Sequence, residues 1–280
     1  MGSASREALS TSRSALAGLG GKATLATGEQ LLAAGRVLGT SFQLRAALAD
    51  PSGDRDAKLS IVGAVFASID ESARDLLGVI VTNTWSTEDE LLAGIEEIGI
   101  RVLAGSASNG EIENELFSFA AAVESDAGLE LAVSSKLGSE SSKAALVERL
   151  LGGKASAQTI AIVSHLVQQP RGRRINELLR FATSVVADEA GLAVATVTTA
   201  SAISPAQLTR LSSALAANYG RGLRINHVID PSLVGGVRVQ LGDEIIDGSV
   251  ASRLNELRLQ LAQRRLHRLS TRRGKRRWQN

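Results

Sequence analysis

The residue types that carry most enzyme chemistry are scarce in this chain and lie far apart in sequence. The chain has no Cys, which removes disulfides, thiolate nucleophiles and Cys-ligated metals from consideration. Its three His residues, His165, His227 and His267, lack the spacing of a metal site, and the apolar run around His165 favours a core or interface role. Asp247 and Ser249 could act as acid and nucleophile, but no His is nearby in the sequence. We therefore expect no catalytic, cofactor-binding or metal-binding residues.

Two Gly-Gly-Lys segments, Gly20–Lys22 and Gly152–Lys154, invite comparison with a phosphate-binding loop. That loop needs a Gly five residues before its last Gly and a Ser or Thr after its Lys. Leu16 and Glu148 stand at the Gly position here, and Ala follows each Lys. Glycines at helix ends are the better interpretation, and an enzyme is the least favoured class.

The charge of the chain is divided between an acidic body and a basic tail. Residues 264–280 carry eight basic residues and no acid, so the rest of the chain has a net charge of −6. An acidic body disfavours a general nucleic-acid-binding fold, because phosphate contacts need a basic face. For the tail, a solvated extension is favoured over contact with anionic lipid or an acidic partner, and Trp278 leaves nucleic-acid contact as a weaker alternative.

The stretch from Ile225 to Leu261 has the most closely spaced signals for turns, strands and helix ends in the chain. Residues 237–241 alternate apolar and polar side chains, which predicts a half-buried strand. Gly242-Asp243 suits a two-residue turn, and residues 244–247 form the return strand. Together with the apolar pattern that comes next, these signals predict the order strand, turn, strand and helix.

The predicted helix begins after Gly248, which permits a sharp exit from the strand, and Ser249 is placed to cap it. Its apolar stripe, which we predict to bind a partner helix, consists of Val250, Leu254, Leu257 and Leu261.

At these residues the sequence resembles the delta subunit of F-type ATP synthases, which is called the oligomycin-sensitivity-conferring protein in mitochondria. The structural motif that carries the resemblance comprises Asp230, Pro231, Gly235, Gly236, Gly242, Asp243, Asp247, Gly248, Ser249 and Arg253. The upstream helices agree with it, including Pro170-Arg171-Gly172-Arg173.

Helical periodicity dominates the part of the chain before Gly191. The predicted helices are a short, partly mobile one at Ser5–Leu19, then Glu29–Leu48, 57–68, 72–83, and a further one that follows a capping box formed by Thr87 and Glu90.

The apolar pattern of this region then repeats at a nearly constant offset, which drifts only slightly along the chain. Matching positions include Leu31 with Leu116, Leu44 with Leu129, and Leu48 with Val133. Such a register indicates a duplicated helical unit. In the resembling family one such bundle precedes the carboxy-terminal domain, so residues 30–103 are additional here.

After Gly191 the spacing of apolar residues changes from that of a helix to that of a strand. Residues 192–198 and 223–229 are predicted strands, and between them a helix starts at Ser204-Pro205. The predicted fold class is mostly α with a small α+β domain. The predicted domains are an extra helical bundle (1–105), a helical bundle like that of the family (106–190), an α+β stalk-binding domain (191–263) and the basic tail (264–280).

The resemblance implies a non-catalytic subunit of the peripheral stalk, or stator, that supports proton-driven ATP synthesis. Its implied partners are the alpha and beta subunits of the catalytic head and the b subunit of the stalk, and it contacts the membrane only through the complex. We expect no small-molecule substrate and no nucleic acid. No secretory signal is visible, and we expect a peripheral membrane protein on the cytoplasmic face of the cell membrane. A basic-tailed nucleic-acid-associated adaptor is the alternative.

Overall fold

A computed structural model describes residues 1–107, 111–134, 139–219, 222–233, 235–241 and 244–248. The chain divides into two units, one from Met1 to Gly191 and one from Leu192 onward. The described part of the first is helical, and that of the second combines a four-stranded sheet with a helix. The predicted class, mostly α with a small α+β part, is confirmed.

The described part of the first unit begins with one helix and continues with two sets of five. The first helix is α1 (Ser3–Leu19), and it is followed by a 3-10 turn at Gly20–Lys22. The first set is α2 (Leu25–Thr40), α3 (Phe42–Ala49), α4 (Arg55–Val65), α5 (Glu71–Thr82) and α6 (Glu88–Ser106). The second set is α7 (Ile112–Ser125), α8 (Ala127–Ser134), α9 (Glu140–Leu151), α10 (Ala157–Gln168) and α11 (Ile175–Glu189).

Corresponding helices of the two sets pack in the same pairs. The first helix of each set contacts the last, α2 with α6 and α7 with α11, and the third contacts the fourth, α4 with α5 and α9 with α10. The repeat also extends to a polar contact. Gln30 on α2 accepts the backbone N–H of Asp70 at 2.8 Å, and Glu115, at the matching position of α7, accepts that of Ser156 at 3.0 Å. These matches support a duplicated unit, and the division into domains at residue 105 stays a prediction.

Helix α6 is shared between the two sets. It packs against α10 and α11, much as α1 packs against α5 and α6. Residues 91–103 are buried, apart from half-buried Ala93, because other helices surround α6. Glycines allow α2 to approach it closely, since a Cβ on Gly28 would lie 2.6 Å from the Leu103 side chain and one on Gly99 would lie 2.6 Å from that of Leu32.

Three expectations for the first unit need correction. The helix predicted over Glu29–Leu48 is two helices, because Ser41 adopts an extended backbone and its hydroxyl accepts the N–H of Leu44. Helix α1 has 17 residues and buries Ala8, Leu9 and Leu16, so it is not short. Thr87 caps α6, but the carboxylate of Glu90 accepts hydrogen bonds from Gly2 and Ser5 instead of closing a capping box.

The sheet of the second unit has the order β2-β1-β3-β4. Its elements are β1 (Leu192–Thr199), α12 (Pro205–Tyr219), β2 (Gly222–Ile229), β3 (Val237–Leu241) and β4 (Glu244–Asp247). Strands β1 and β2 are parallel and are linked by α12, whereas β1 with β3 and β3 with β4 are antiparallel. The predicted strands and the start of α12 are confirmed, including the reciprocal hydrogen bonds between Ser204 and Gln207.

One face of this sheet packs against α12 around Ala195, Val197, Leu215 and Val239. The alternation predicted for residues 237–241 is confirmed, because Val239 is buried while Arg238 and Gln240 are exposed. The predicted turn at Gly242-Asp243 and the predicted helix from Ser249 lie outside the described residues.

Candidate functional site

The Asp-Pro-Ser part of the family motif forms a turn directly after β2. The Asp230 carboxylate accepts the backbone N–H of Ser232 at 2.9 Å and its hydroxyl at 2.6 Å. These bonds lower the pKa of Asp230, first through the Ser232 hydroxyl and then through its backbone N–H. The backbone N–H of Asp230 also donates to the carbonyl of Thr199 at 2.8 Å, which ties the turn to the end of β1. Asp230 therefore shapes the chain between β2 and β3, and Pro231 lies within this turn.

The glycines of the motif are used where other residues would be strained or crowded. Gly235 and Gly236 have φ angles of 69° and 84°, a region that L-residues with a side chain rarely adopt. A Cβ on Gly248 would lie 3.1 Å from the carbonyl oxygen of Val237. Asp247, on β4, forms an ion pair with Arg238 at 3.4 Å. These residues allow particular backbone conformations, close approaches or a contact between strands. Their assignment as a functional motif stays a prediction.

The rest of the predicted site lies outside the described residues. That group comprises Gly242, Asp243, Ser249 and Arg253 of the motif and the stripe Val250, Leu254, Leu257 and Leu261. Both Gly-Gly-Lys segments do lie in the described part. Gly20 caps the end of α1 and Gly152 the end of α9, so their interpretation as helix-end glycines is confirmed.

A buried cluster of charges joins the two sets of helices, and sequence reasoning did not identify it. Glu96, on α6, is 2% exposed at its side chain. Its carboxylate lies 2.9 Å from Arg171 Nη2 and 2.8 Å from Arg173 Nη2, both in the segment before α11. His165 of α10 faces the same carboxylate, with Nε2 at 3.4 Å. Residues from α10 and from the segment before α11 thus converge on one carboxylate of the first set.

The contacts of this cluster define its protonation. Burial favours the neutral form of Glu96, but His165, Arg173 and Arg171 outweigh it and lower the pKa from 4.5 to about 2. Burial lowers the pKa of His165, and Glu96 opposes that shift. Arg36 Nη1 lies 3.2 Å from His165 Nδ1 and can only donate, so the neutral ring accepts there and its proton is on Nε2, facing Glu96.

We expect stability to decrease in two steps as the pH is lowered. The pKa of His165 is lower in the folded chain, so the unfolded chain binds more protons below about pH 6.5 and unfolding is favoured there. The lowered pKa of Glu96 adds a second loss below about pH 4.5. Urea unfolding midpoints measured from pH 8 to pH 3.5 would record both. In His165→Gln, which can still donate to Glu96 and accept from Arg36, the first loss should disappear. If the urea midpoint fell equally steeply between pH 7 and 5.5 in this variant and in the wild-type protein, the prediction would be contradicted.

A second cluster ties α1, α6 and α11 together. Arg101 of α6 donates to Glu97 at 2.9 Å, to Asp188 at 2.6 Å and to Glu189 at 3.1 Å. Burial lowers the pKa of Arg101, but these carboxylates outweigh burial and raise it. Arg13 of α1 reaches the same Glu97 carboxylate and lies 3.8 Å from Asp188. Cations and carboxylates from three helices therefore form one connected network.

A sequence signal for both clusters does exist. Residues 91–103 contain apolar residues at nearly every helical angle, which indicates a helix surrounded by other helices. Glu96, Glu97 and Arg101 interrupt this run, and charged residues on such a helix must be paired when they are buried. The signal shows that partners exist, but it does not identify them.

A groove of about 530 Å³ opens on the second set of helices, between α7, α8 and the end of α9. Its apolar lining is Phe119, Ala122, Leu129, Leu150, Leu151 and Ala155. Glu111, Asn114 and Lys154 lie at its edge, and all three are exposed.

Together these features define a class of protein, a helical scaffold with an added α+β unit. Its ionic clusters join helices to each other, and its groove has the size and apolar character of a binding site.

Comparisons with known proteins identify the family. The model of the ATP synthase delta (OSCP) subunit family matches residues 102–261. ATP synthase subunit delta of Leifsonia xyli subsp. xyli is 56% identical over 263 residues, covering 94% of this chain and 100% of that protein. The same subunit of Streptomyces avermitilis is 36% identical, covering 92% of this chain and 98% of its own length. The chain belongs to the ATP synthase delta (OSCP) subunit family, and it is a subunit of the peripheral stalk.

The family model and the Leifsonia protein match different lengths of this chain. The family model begins at residue 102, near the end of α6, and so covers the second set of helices. The Leifsonia protein aligns over 94% of this chain and therefore also includes most of the first set. A chain of the Toxoplasma gondii mitochondrial ATP synthase hexamer is also similar, at 20% identity and a TM-score of 0.41, covering 60% of this chain and 95% of that chain.

Proposed function

We propose that this protein is a non-catalytic link that holds the catalytic head of an F-type ATP synthase still while the rotor turns. In this proposal the helical unit binds amino-terminal helices of the head's alpha subunits, close to the beta subunits. The α+β unit, with the helix that follows it, binds the b subunit. The observation that carries the proposal is full-length similarity to delta subunits, at 56% identity over 94% of the chain.

The construction of the helical unit suits a mechanical task. A stator must transmit torque without local unfolding, so its helices have to resist sliding past one another. The Arg101 network connects α1, α6 and α11, and the Glu96 cluster connects α6 to α10 and to the segment before α11. Separating α6 from the segment before α11 would leave the buried Glu96 carboxylate without Arg171 and Arg173, which costs several kcal/mol.

The proposed location is the cytoplasmic face of the cell membrane, where the protein is peripheral. Among the described residues, no helix combines the length and the apolar character needed to cross a bilayer. In this proposal the protein is attached to the membrane through the b subunit. The eight basic residues of the tail could add contact with anionic lipid. The alternative of a nucleic-acid-associated adaptor has no support from the family comparisons.

Two truncations test stalk attachment in the reconstituted enzyme. A chain that ends at Gly248 lacks the predicted cap and the Leu stripe, whereas a chain that ends at Leu269 lacks only the outer tail. We expect the first to abolish most proton pumping while ATP hydrolysis continues, because the head is no longer restrained. The second should retain most of the pumping. Proton uptake by vesicles is measured together with hydrolysis for both, and normal pumping without residues 249–280 would refute the assignment.

A further inference from the structure

We infer that the outer edge of β4 is a pairing site for an extended strand of a partner protein, one with β-branched residues at its centre and basic residues at its ends. The sheet has the order β2-β1-β3-β4, so within the described residues β4 has a neighbouring strand on one side. The open edge of a strand presents backbone N–H and C=O groups that a further strand can bind. The inference goes beyond the proposed function, which assigns no partner to the edge of the sheet.

The side chains of β4 make both faces of this edge apolar. Ile245 and Ile246 are 59% and 43% exposed, and successive residues of a strand point to opposite faces. Ile246 ends a row of apolar residues that crosses the sheet, since it lies opposite Val239, which lies opposite Val197. Val197 and Val239 are buried beside α12, whereas Ile246 is open to solvent. A strand with an apolar residue opposite Ile246 would continue this row.

Apart from its short length, β4 lacks the features by which edge strands avoid pairing. Proteins place Lys, Pro or a bulge at such edges. Residues 244–247, Glu-Ile-Ile-Asp, contain no Lys, Arg or Pro, and they pair one to one with β3, without a bulge. The strand at the other edge of the sheet, β2, does include Arg224. β4 is therefore the edge that a further strand can join more readily.

The charges along β4 define the class of partner. Acidic residues stand at both ends of the strand, Glu244 and Asp247. If two copies of this chain paired antiparallel, with Ile245 opposite Ile246 of the other copy, Glu244 would lie opposite Asp247 of that copy. Like charges directly opposite each other are destabilising, so this pairing of two copies is disfavoured. A strand with Lys or Arg at both ends would instead place a base opposite each acid.

The test uses the full-length chain and short synthetic peptides that carry a fluorophore. The first peptide has two adjacent Val residues with a Lys at each end, and the second has Glu at the ends. We expect the Lys peptide to bind about tenfold more tightly in fluorescence anisotropy, because base–acid pairs replace acid–acid pairs. Methylation of its backbone nitrogens keeps the charge but removes the N–H donors of the new strand pair. It should weaken binding about tenfold or more.

The variant Ile245→Lys should weaken binding of the Lys peptide about tenfold or more, because it adds to the edge a charge that prevents strand pairing. Ile229→Lys is the matched control, since Ile229 is also exposed, at 51%, but lies on β2 at the other edge of the sheet. Circular dichroism checks that both variants are folded. Equal binding by the two variants, equal binding of the methylated peptide, or tighter binding of the Glu peptide would overturn the inference.

Two further measurements identify the occupant of the edge. Sedimentation of the chain alone should show no self-association that depends on Ile245, since such association would make a second copy the occupant. A chain that ends at residue 263 should bind the Lys peptide as tightly as the full-length chain does. Binding that appears only after this truncation would assign the edge to the chain's own basic tail. Either of these contrary results would overturn the inference.

Discussion

The variant Glu96→Gln should lose about 3 to 5 kcal/mol of the free energy of unfolding. The substitution keeps the size of the side chain but removes the negative charge that Arg171, Arg173 and His165 share. Arg171 and Arg173 would then face a neutral amide in a site where the original side chain is 2% exposed. Such a loss is a large part of the stability of a typical domain. Urea unfolding followed by circular dichroism measures it directly.

Glu124→Gln provides the control for this measurement, because it removes the same charge from an exposed position near the end of α7. Its effect should stay within about 0.5 kcal/mol. Equal unfolding midpoints for the two variants would show that the Glu96 cluster does not contribute as its geometry indicates. If Glu96→Gln does not fold, Arg173→Gln gives a milder change, since Arg171 still pairs with Glu96.

The free energy of unfolding of the variant Gly94→Ala should be lower by about 3 kcal/mol or more, which is at the upper end of the range for overpacking in a core. A Cβ at position 94 would overlap Cη2 of Trp85 and lie 2.6 Å from its Cζ3. The indole cannot easily move away, because it is 4% exposed and its Nε1 donates to the carbonyl of Ile80 at 2.8 Å. The added methyl must therefore separate α6 from the segment that precedes it.

Gly63→Ala is the matched control, since Gly63 also lies within a helix but a Cβ there would meet nothing within 4 Å. It should gain up to about 1 kcal/mol from helix propensity. The cost of Gly94→Ala should shrink in a Trp85→Phe background, where the distant ring edge is gone, and the difference gives the coupling energy of the pair. A stabilised Gly94→Ala variant would contradict this packing.

Much of the fold follows from local patterns that the sequence displays. The alternation at residues 237–241 predicts β3 because the side chains of a strand point alternately to its two faces. Ser204 and Pro205 predict the start of α12, because a hydroxyl and a fixed φ are what the first turn of a helix requires. The nearly constant offset between matching positions suggests duplication because two copies of one fold bury equivalent residues, such as Leu31 and Leu116.

Local patterns were insufficient to predict where a helix changes direction or which distant residue a side chain contacts. The break at Ser41 is absent from the periodicity, since apolar residues continue on both sides of it. Glu90 has the spacing of a capping box, yet its carboxylate bonds to Ser5 near the start of α1, far away in the sequence. The contact between Glu90 and Ser5 depends on how α6 packs against α1.

For the candidate sites, the sequence by itself determined the family motif and the presence of charges within an apolar helix. Only the tertiary structure decided that Glu96 meets Arg171 and Arg173, that Arg101 joins α1 to α11 through shared carboxylates, and that α7 to α9 enclose a groove. The physical reason is that helix formation depends on neighbours within one or two turns. Charge pairing and groove shape depend on groups brought together from distant parts of the chain, where the sequence carries no spacing rule.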